Sequence, residues 1–211
     1  MEENKNEEVK NTSIQVQNAN VPQEQEQQQP KSEIQLFGDN WRIASQLAKS
    51  TIIPDNYKGK PENVVIALGM AQKMDIDPFT VMQNLNIVKG KTAWSGSFCR
   101  TLIEKSNKFE NINLEYVGKK GQDDYGCKVV ATRKIDGRII DGPLVDIKMA
   151  KLEHWTTNPK WNSMPELMLS YRALSFFARV HCPEALNGIY TTEEIEDISQ
   201  VKKVIVADVL E

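Results

Sequence analysis

Met164 to Asp197 reads M-P-E-L-M-L-S-Y-R-A-L-S-F-F-A-R-V-H-C-P-E-A-L-N-G-I-Y-T-T-E-E-I-E-D, and the reading of this stretch decides the fold. Pro165 stands at a first helical position, where a missing N–H removes no hydrogen bond. No Gly or Pro follows until Pro183, which ends the run. Leu167, Tyr171, Leu174, Ala178 and His181 recur every three or four residues, as one apolar face of a helix does. Arg172 and Arg179 are two turns apart on the neighbouring face, about 10 Å at a helical rise of 1.5 Å per residue. Two guanidiniums on a rigid rod at that separation can grip successive phosphates of a strand. The same spacing equally suits solvated or salt-bridged arginines.

Upstream, the order of elements predicts an α+β domain. Asp39 can cap a helix running to about Lys49, with order beginning near Leu36. Pro61 opens a second helix to about Met74, and Asp77-Pro78 caps a third that ends near Asn84. Leu85-Asn86-Ile87-Val88 and Thr92-Ala93-Trp94 flank Lys89-Gly90-Lys91 as a hairpin. Ser95 is placed to cap a helix over 96–106. Asn111 to Val117 alternates, with Ile112, Leu114 and Tyr116 on one face, and Cys127 to Ile135 pairs back across a polar loop. Asp136-Gly137 signals a type I′ turn, from which Arg138 to Val145 returns. A helix over 147–153 and a Trp-rich loop over 154–163 lead into the long helix. The expectation is a small antiparallel sheet, hairpin plus three-stranded meander, packed with helices in a single domain over 35–197.

The flanks differ in kind. Residues 1–34 hold three Lys against seven Glu, net −4, are rich in Gln and Asn and lack aromatics. Such a segment buries too little apolar surface to offset its ordering entropy, which predicts a disordered tail. Residues 198–211 read as an acidic C-terminal tail. From 193 onward two Lys face six acids, again −4, which leaves the body at about +5. A mildly basic body between acidic ends suits a polyanion binder. The three cysteines, Cys99, Cys127 and Cys182, are odd in number and far apart, which argues for a reducing interior and against a disulfide framework. No secretory h-region or membrane-length apolar run is present.

Several chemistries fail on spacing. Gly90-Lys91-Thr92 invites a phosphate-loop reading, but the glycine that such a loop needs five residues before its Gly-Lys pair is Leu85 here, and strand rather than helix follows. The cysteines with His154 and His181 show no zinc spacing. No nucleophile signature surrounds any cysteine, and no carboxylates cluster as in a nuclease site. What remains is basic and aromatic. Lys89, Lys91, Trp94 and Arg100 surround the hairpin, and Lys148 to Trp161 interleaves Lys148, Lys151 and Lys160 with Trp155 and Trp161. Cations track a nucleic-acid backbone and aromatics offer stacking faces, although each tryptophan is equally suited to pin a loop to the core.

The passage from Met168 to Asp197, with its Tyr171-Arg172-Ala173 helix, later Arg179, Pro183-Glu184, Gly188-Ile189-Tyr190 turn and acidic helix, resembles phage and prophage RecT-type recombinases, the RecT/Bet single-strand annealing proteins. A-L-G-M-A-Q-K-M-D-I-D-P at 67–78, V-K-G-K-T at 88–92 and the Trp-rich loop look like the same family, so the resemblance spans roughly Phe37 to Asp197. Longer members continue further after the acidic helix. The resemblance implies ATP-independent binding and annealing of single-stranded DNA in phage or prophage recombination, inside a bacterial host's cytoplasm. It implies assembly into rings or filaments, and a phage 5′→3′ exonuclease and host single-strand-binding protein as partners, with no membrane, metal, cofactor or catalytic residue. On this reading the DNA groove draws on Lys89, Lys91, Trp94, Arg100, Lys148, Lys151, Trp155, Lys160, Trp161, Arg172 and Arg179. Alanine at Arg172 or Arg179 should then weaken strand binding and leave melting unchanged. Two other classes fit the composition: a phage structural or adaptor protein, and a thiol or metal enzyme.

Overall fold

A computed structural model describes residues 32–198. The expected tails therefore lie almost wholly outside the described residues. The first helix, α1 (Glu33–Leu47), starts six residues before Asp39. Ser32 and Gln35 form a capping box there: the Gln35 N–H donates to Ser32 Oγ at 3.3 Å, and the Ser32 N–H to Gln35 Oε1 at 3.0 Å. This reciprocal pair satisfies two otherwise orphaned donors and outcompetes Asp39 as a start signal. Asp39 sits inside the helix, 3.4 Å from Arg42.

Helices α2 (Pro61–Met74) and α3 (Pro78–Asn84) follow their start signals. The Asp77 carboxylate accepts the Thr80 N–H at 2.8 Å. β1 (Leu85–Val88) and β2 (Lys91–Trp94) pair antiparallel around Lys89 and Gly90, whose φ values of 52° and 75° are those a two-residue I′ turn requires. Ser95 does not cap the next helix. Its hydroxyl meets Asn84 Oδ1 at 2.9 Å, tying the hairpin to α3, and α4 (Phe98–Lys105) begins after Ser97.

The second sheet contains β3 (Phe109–Val117), β4 (Gly126–Arg133), β5 (Ile139–Asp141) and β6 (Val145–Asp146). A bulge between Glu110 and Asn113, with Asn111 at φ 50°, interrupts the alternation of β3. The Asp136-Gly137 turn is not type I′, because only Gly137 has positive φ. The loop is four residues long, closed by the Arg133 N–H on the Arg138 carbonyl at 2.8 Å. The Asp136 carboxylate holds the Arg133 guanidinium (2.5 and 3.0 Å) and also accepts the Arg138 N–H, which fixes the longer loop. The returning strand splits into β5 and β6, both paired to β4. Between them Gly142 passes so close to the long helix that a Cβ would lie 2.8 Å from the Phe177 ring.

After α5 (Ile147–Leu152), the Trp-rich stretch folds as a 3-10 turn (Trp155–Thr157) and α6 (Lys160–Ser163). The long helix α7 (Pro165–His181) comes next, followed by α8 (Pro183–Leu186). β7 (Tyr190–Thr191) then pairs parallel to β2, Ala93 opposite Tyr190 and Trp94 opposite Thr191. A final helix, α9, runs from 192 to the last described residue, 198. The α+β class stands, with two sheets rather than one, and the first sheet is mixed. The second is packed against α7, where Phe177 and Phe109 meet edge-on at 5.0 Å. The three-or-four spacing predicts a single apolar face for α7, but the helix is buried on most sides: Leu169, Arg172, Ala173, Ser175 and Phe177 are all enclosed, while Leu167 is exposed. No helix among the described residues is long and apolar enough to cross a membrane.

Candidate nucleic-acid interface

The charged centre of the molecule is built where α7 meets α9. Thr191 and Glu194 form a second capping box at the start of α9: the Thr191 N–H donates to Glu194 Oε2 at 2.8 Å and the Glu194 N–H to Thr191 Oγ1 at 3.2 Å. The same Glu194 carboxylate receives Arg179 through two bonds, at 2.6 and 3.2 Å, and Ser175 Oγ at 3.2 Å. Arg172 lies 3.7 Å from Glu194 and in direct contact with Asp197. Asn158 Nδ2 and Trp161 Nε1 also donate to Asp197. Burial pushes the Glu194 carboxyl up, but Arg179, the Thr191 N–H and Arg172 outweigh it and hold it below the usual range.

This network decides what most of the aromatic and arginine candidates do. Arg172 is only 6% exposed and stacks on Trp155, its Cζ 4.0 Å from the ring. Trp155 and Trp161 pack on each other at 5.6 Å. Trp94 is fully buried, its Nε1 donating to the Leu186 carbonyl at 3.2 Å and its ring packed on Phe98. Of this group Arg179 alone keeps a partly exposed guanidinium, lying 4.4 Å over the exposed Tyr190 ring. The expectation that Arg172, Trp94, Trp155 and Trp161 line an open groove is therefore replaced. α9 and the Trp-rich loop close over α7 and enclose Arg172, Trp155 and Trp161, while Trp94 is enclosed by Phe98 and α8.

The lysines remain outside. Lys89 and Lys91 project at the tip of the β1–β2 hairpin, exposed and without an ion pair among the described residues. Lys148 on α5 is likewise exposed and unpaired. Lys151 pairs with Asp123 at 2.5 Å, and Lys160 with Glu196 at 3.0 Å. Arg100 donates to Glu104 and to the Ile112 carbonyl, both at 3.0 Å. The hairpin stands beside α9, since Thr192 Oγ1 donates to the Trp94 carbonyl at 3.3 Å. Lys160 of α6 also reaches α9, whereas Lys148 and Lys151 sit at the far sheet's Gly126 end.

No sequence signal marked Lys108, Arg133 or Lys134, which line a common cleft with Phe109 and His181. Sequence spacing gives little sign of it, because the cleft joins the α4–β3 link, the β4–β5 turn and the end of α7. The three thiols are buried. Burial raises Cys127 and Cys182 to about 11 and Cys99 further, so all three are protonated at neutral pH and poor nucleophiles.

Taken together, the fold and its surface define an α+β domain with a lysine-tipped hairpin and a sealed ionic core, carrying its free cations on projecting elements. The model of the RecT family matches residues 44–206, and the chain belongs to that family. Membership ties it to DNA recombination and strand annealing. No curated protein matches the chain, and no solved structure does.

Proposed function

We propose that the chain binds single-stranded DNA and anneals it to a complementary strand without ATP, in phage or prophage recombination. The observation that carries the reading is the family match across 44–206. The exposed cations are consistent with it. Lys89, Lys91 and Lys148 offer unpaired ammonium groups, Lys151, Lys160 and Arg100 hold solvent-accessible pairs that a phosphate can exchange into, and Arg179 presents a partly exposed guanidinium beside Tyr190. Contact with phosphate releases condensed counterions, so affinity falls as salt rises. No bond is made or broken. Pairing itself supplies the drive, about 1.4 kcal/mol of stacking per base-pair step on average.

Short lysine patches bind weakly alone, so the reading includes assembly of many copies into a ring or filament, which joins them by avidity. Ile34, Phe37 and Trp41 form an exposed apolar line on α1 that suits such contacts. A phage 5′→3′ exonuclease and a host single-strand-binding protein complete the proposed set of partners, in the bacterial cytoplasm. The test is to mix purified protein with two complementary oligonucleotides, without nucleotide or metal, while following strand pairing and particle size. Faster pairing with large particles is expected. No affinity for oligo-dT in dilute buffer would overturn the reading and favour a structural adaptor.

A further inference from the structure

A second basic surface runs where the end of α4, the start of α8 and the β4–β5 turn meet. Two clefts adjoin where α4 ends. Lys73, Lys105 and Glu184 line the first, and Lys108, Arg133 and Lys134 line the second. They join through the Lys108–Glu184 ion pair, 2.6 Å long. Lys134 continues the line: its backbone N–H donates to the Lys108 carbonyl at 2.9 Å, and its Nζ to Asn107 Oδ1 at 2.5 Å. Five cations thus share three carboxylates, Asp75, Glu184 and Asp136. Lys73 and Lys134 have no acidic partner among the described residues. Ile135 stands at the lip of the second cleft, 89% exposed, as an apolar rest for a base or sugar face.

We propose that this stripe, from Lys73 through Lys105 and Lys108 to Lys134 and Arg133, is a separate strand-binding surface that holds the phosphodiester backbone of a second single strand. The inference rests on the annealing reading above. An extended run of ammonium groups along two open, connected clefts suits a flexible polyanion better than a compact anion. Its position also separates it from Lys148 and Lys151. Those follow β6, which pairs with the Gly126 end of β4, whereas the stripe sits at the Arg133 end. Seven strand steps at 3.3 Å put the two ends about 23 Å apart. Strands held that far apart repel little, because the distance exceeds two Debye lengths of about 8 Å at physiological salt.

The test uses the full chain with Lys105→Ala, Lys108→Ala and Lys134→Ala combined, and the single exposed-turn variant Lys134→Glu should the triple variant fail to fold. Protein preloaded with one labelled oligo-dT is offered a second, non-complementary labelled oligo-dT, and energy transfer between the labels reports capture. The expected result is first-strand affinity within about threefold of wild type at low salt. Second-strand capture should fall at least about tenfold, with a salt slope lowered by about 2, near 0.7 per lost phosphate contact. Capture and slope equal to wild type would overturn the stripe while leaving the annealing reading intact. Should wild type bind no oligo-dT, the annealing reading fails, and inorganic polyphosphate becomes the probe. Retention lost in the variant then supports the stripe as a polyanion site, and equal or absent retention overturns it.

Discussion

At the scale of single residues, the lesson lies in Arg172. Its spacing from Arg179 suits a phosphate grip, yet its guanidinium sits between the Trp155 ring, Glu194 and Asp197. Removing one member of a buried ion pair leaves an uncompensated charge in a medium that solvates it poorly, which costs about 3–5 kcal/mol. Arg172→Ala should therefore lower the melting temperature sharply in a thermal scan followed by circular dichroism, rather than spare it. An unchanged melting temperature would show that the network carries no stability. Glu194 gives the matching pH prediction. Its folded pKa lies below the ordinary value of 4.5, so its contribution is fully present above about 4.5 and is lost as pH falls through the lower folded value. Between pH 6 and 3 the wild type should lose stability, and Glu194→Gln, less stable at pH 7, should lose less over that window. Parallel stability curves would contradict the assignment.

At the scale of elements, the β1–β2 hairpin and α9 carry different burdens. The hairpin needs only a turn with two positive φ values and an alternating pair of strands. Its tip lysines make no ion pair or side-chain hydrogen bond among the described residues, which leaves them free to meet a ligand. Lys89→Ala with Lys91→Ala should leave melting intact and reduce the slope of log affinity for oligo-dT against log salt by about 1.4, two contacts at roughly 0.7 each. A slope equal to wild type would remove the hairpin from the interface. α9 instead closes the core. Its first turn is both a capping box and a counterion of α7: one carboxylate, Glu194, fixes a helix start and meets two arginines, and Asp197 supplies the second countercharge. The composition of 193–197 marks an acidic helix, but composition alone does not distinguish a solvated acidic tail from a buried ionic lock.

At the scale of the whole molecule, the local signals carried the architecture a long way. Pro61, Asp77-Pro78, Lys89-Gly90 and Pro165 act through their own backbone or the next few residues, so their elements are readable in order from the sequence. The misplacements have equally local causes. Ser32 outcompeted Asp39 by a reciprocal pair of bonds, and Asp136 was recruited by Arg133, which lengthened its turn. What stayed illegible joins distant parts of the chain: β7 pairing beside β2 almost a hundred residues away, α9 closing over α7, and the basic cleft at Lys108 and Lys134. The chain by itself determined the α+β class, most element boundaries, the lysine-tipped hairpin and the RecT likeness, because caps, turns and periodicity act over a few residues. Only the tertiary structure decided which cations and tryptophans meet solvent. Exposure depends on what packs over a face, and here residues 155 to 197 fold back to supply both the cover and the countercharges for Arg172 and Arg179.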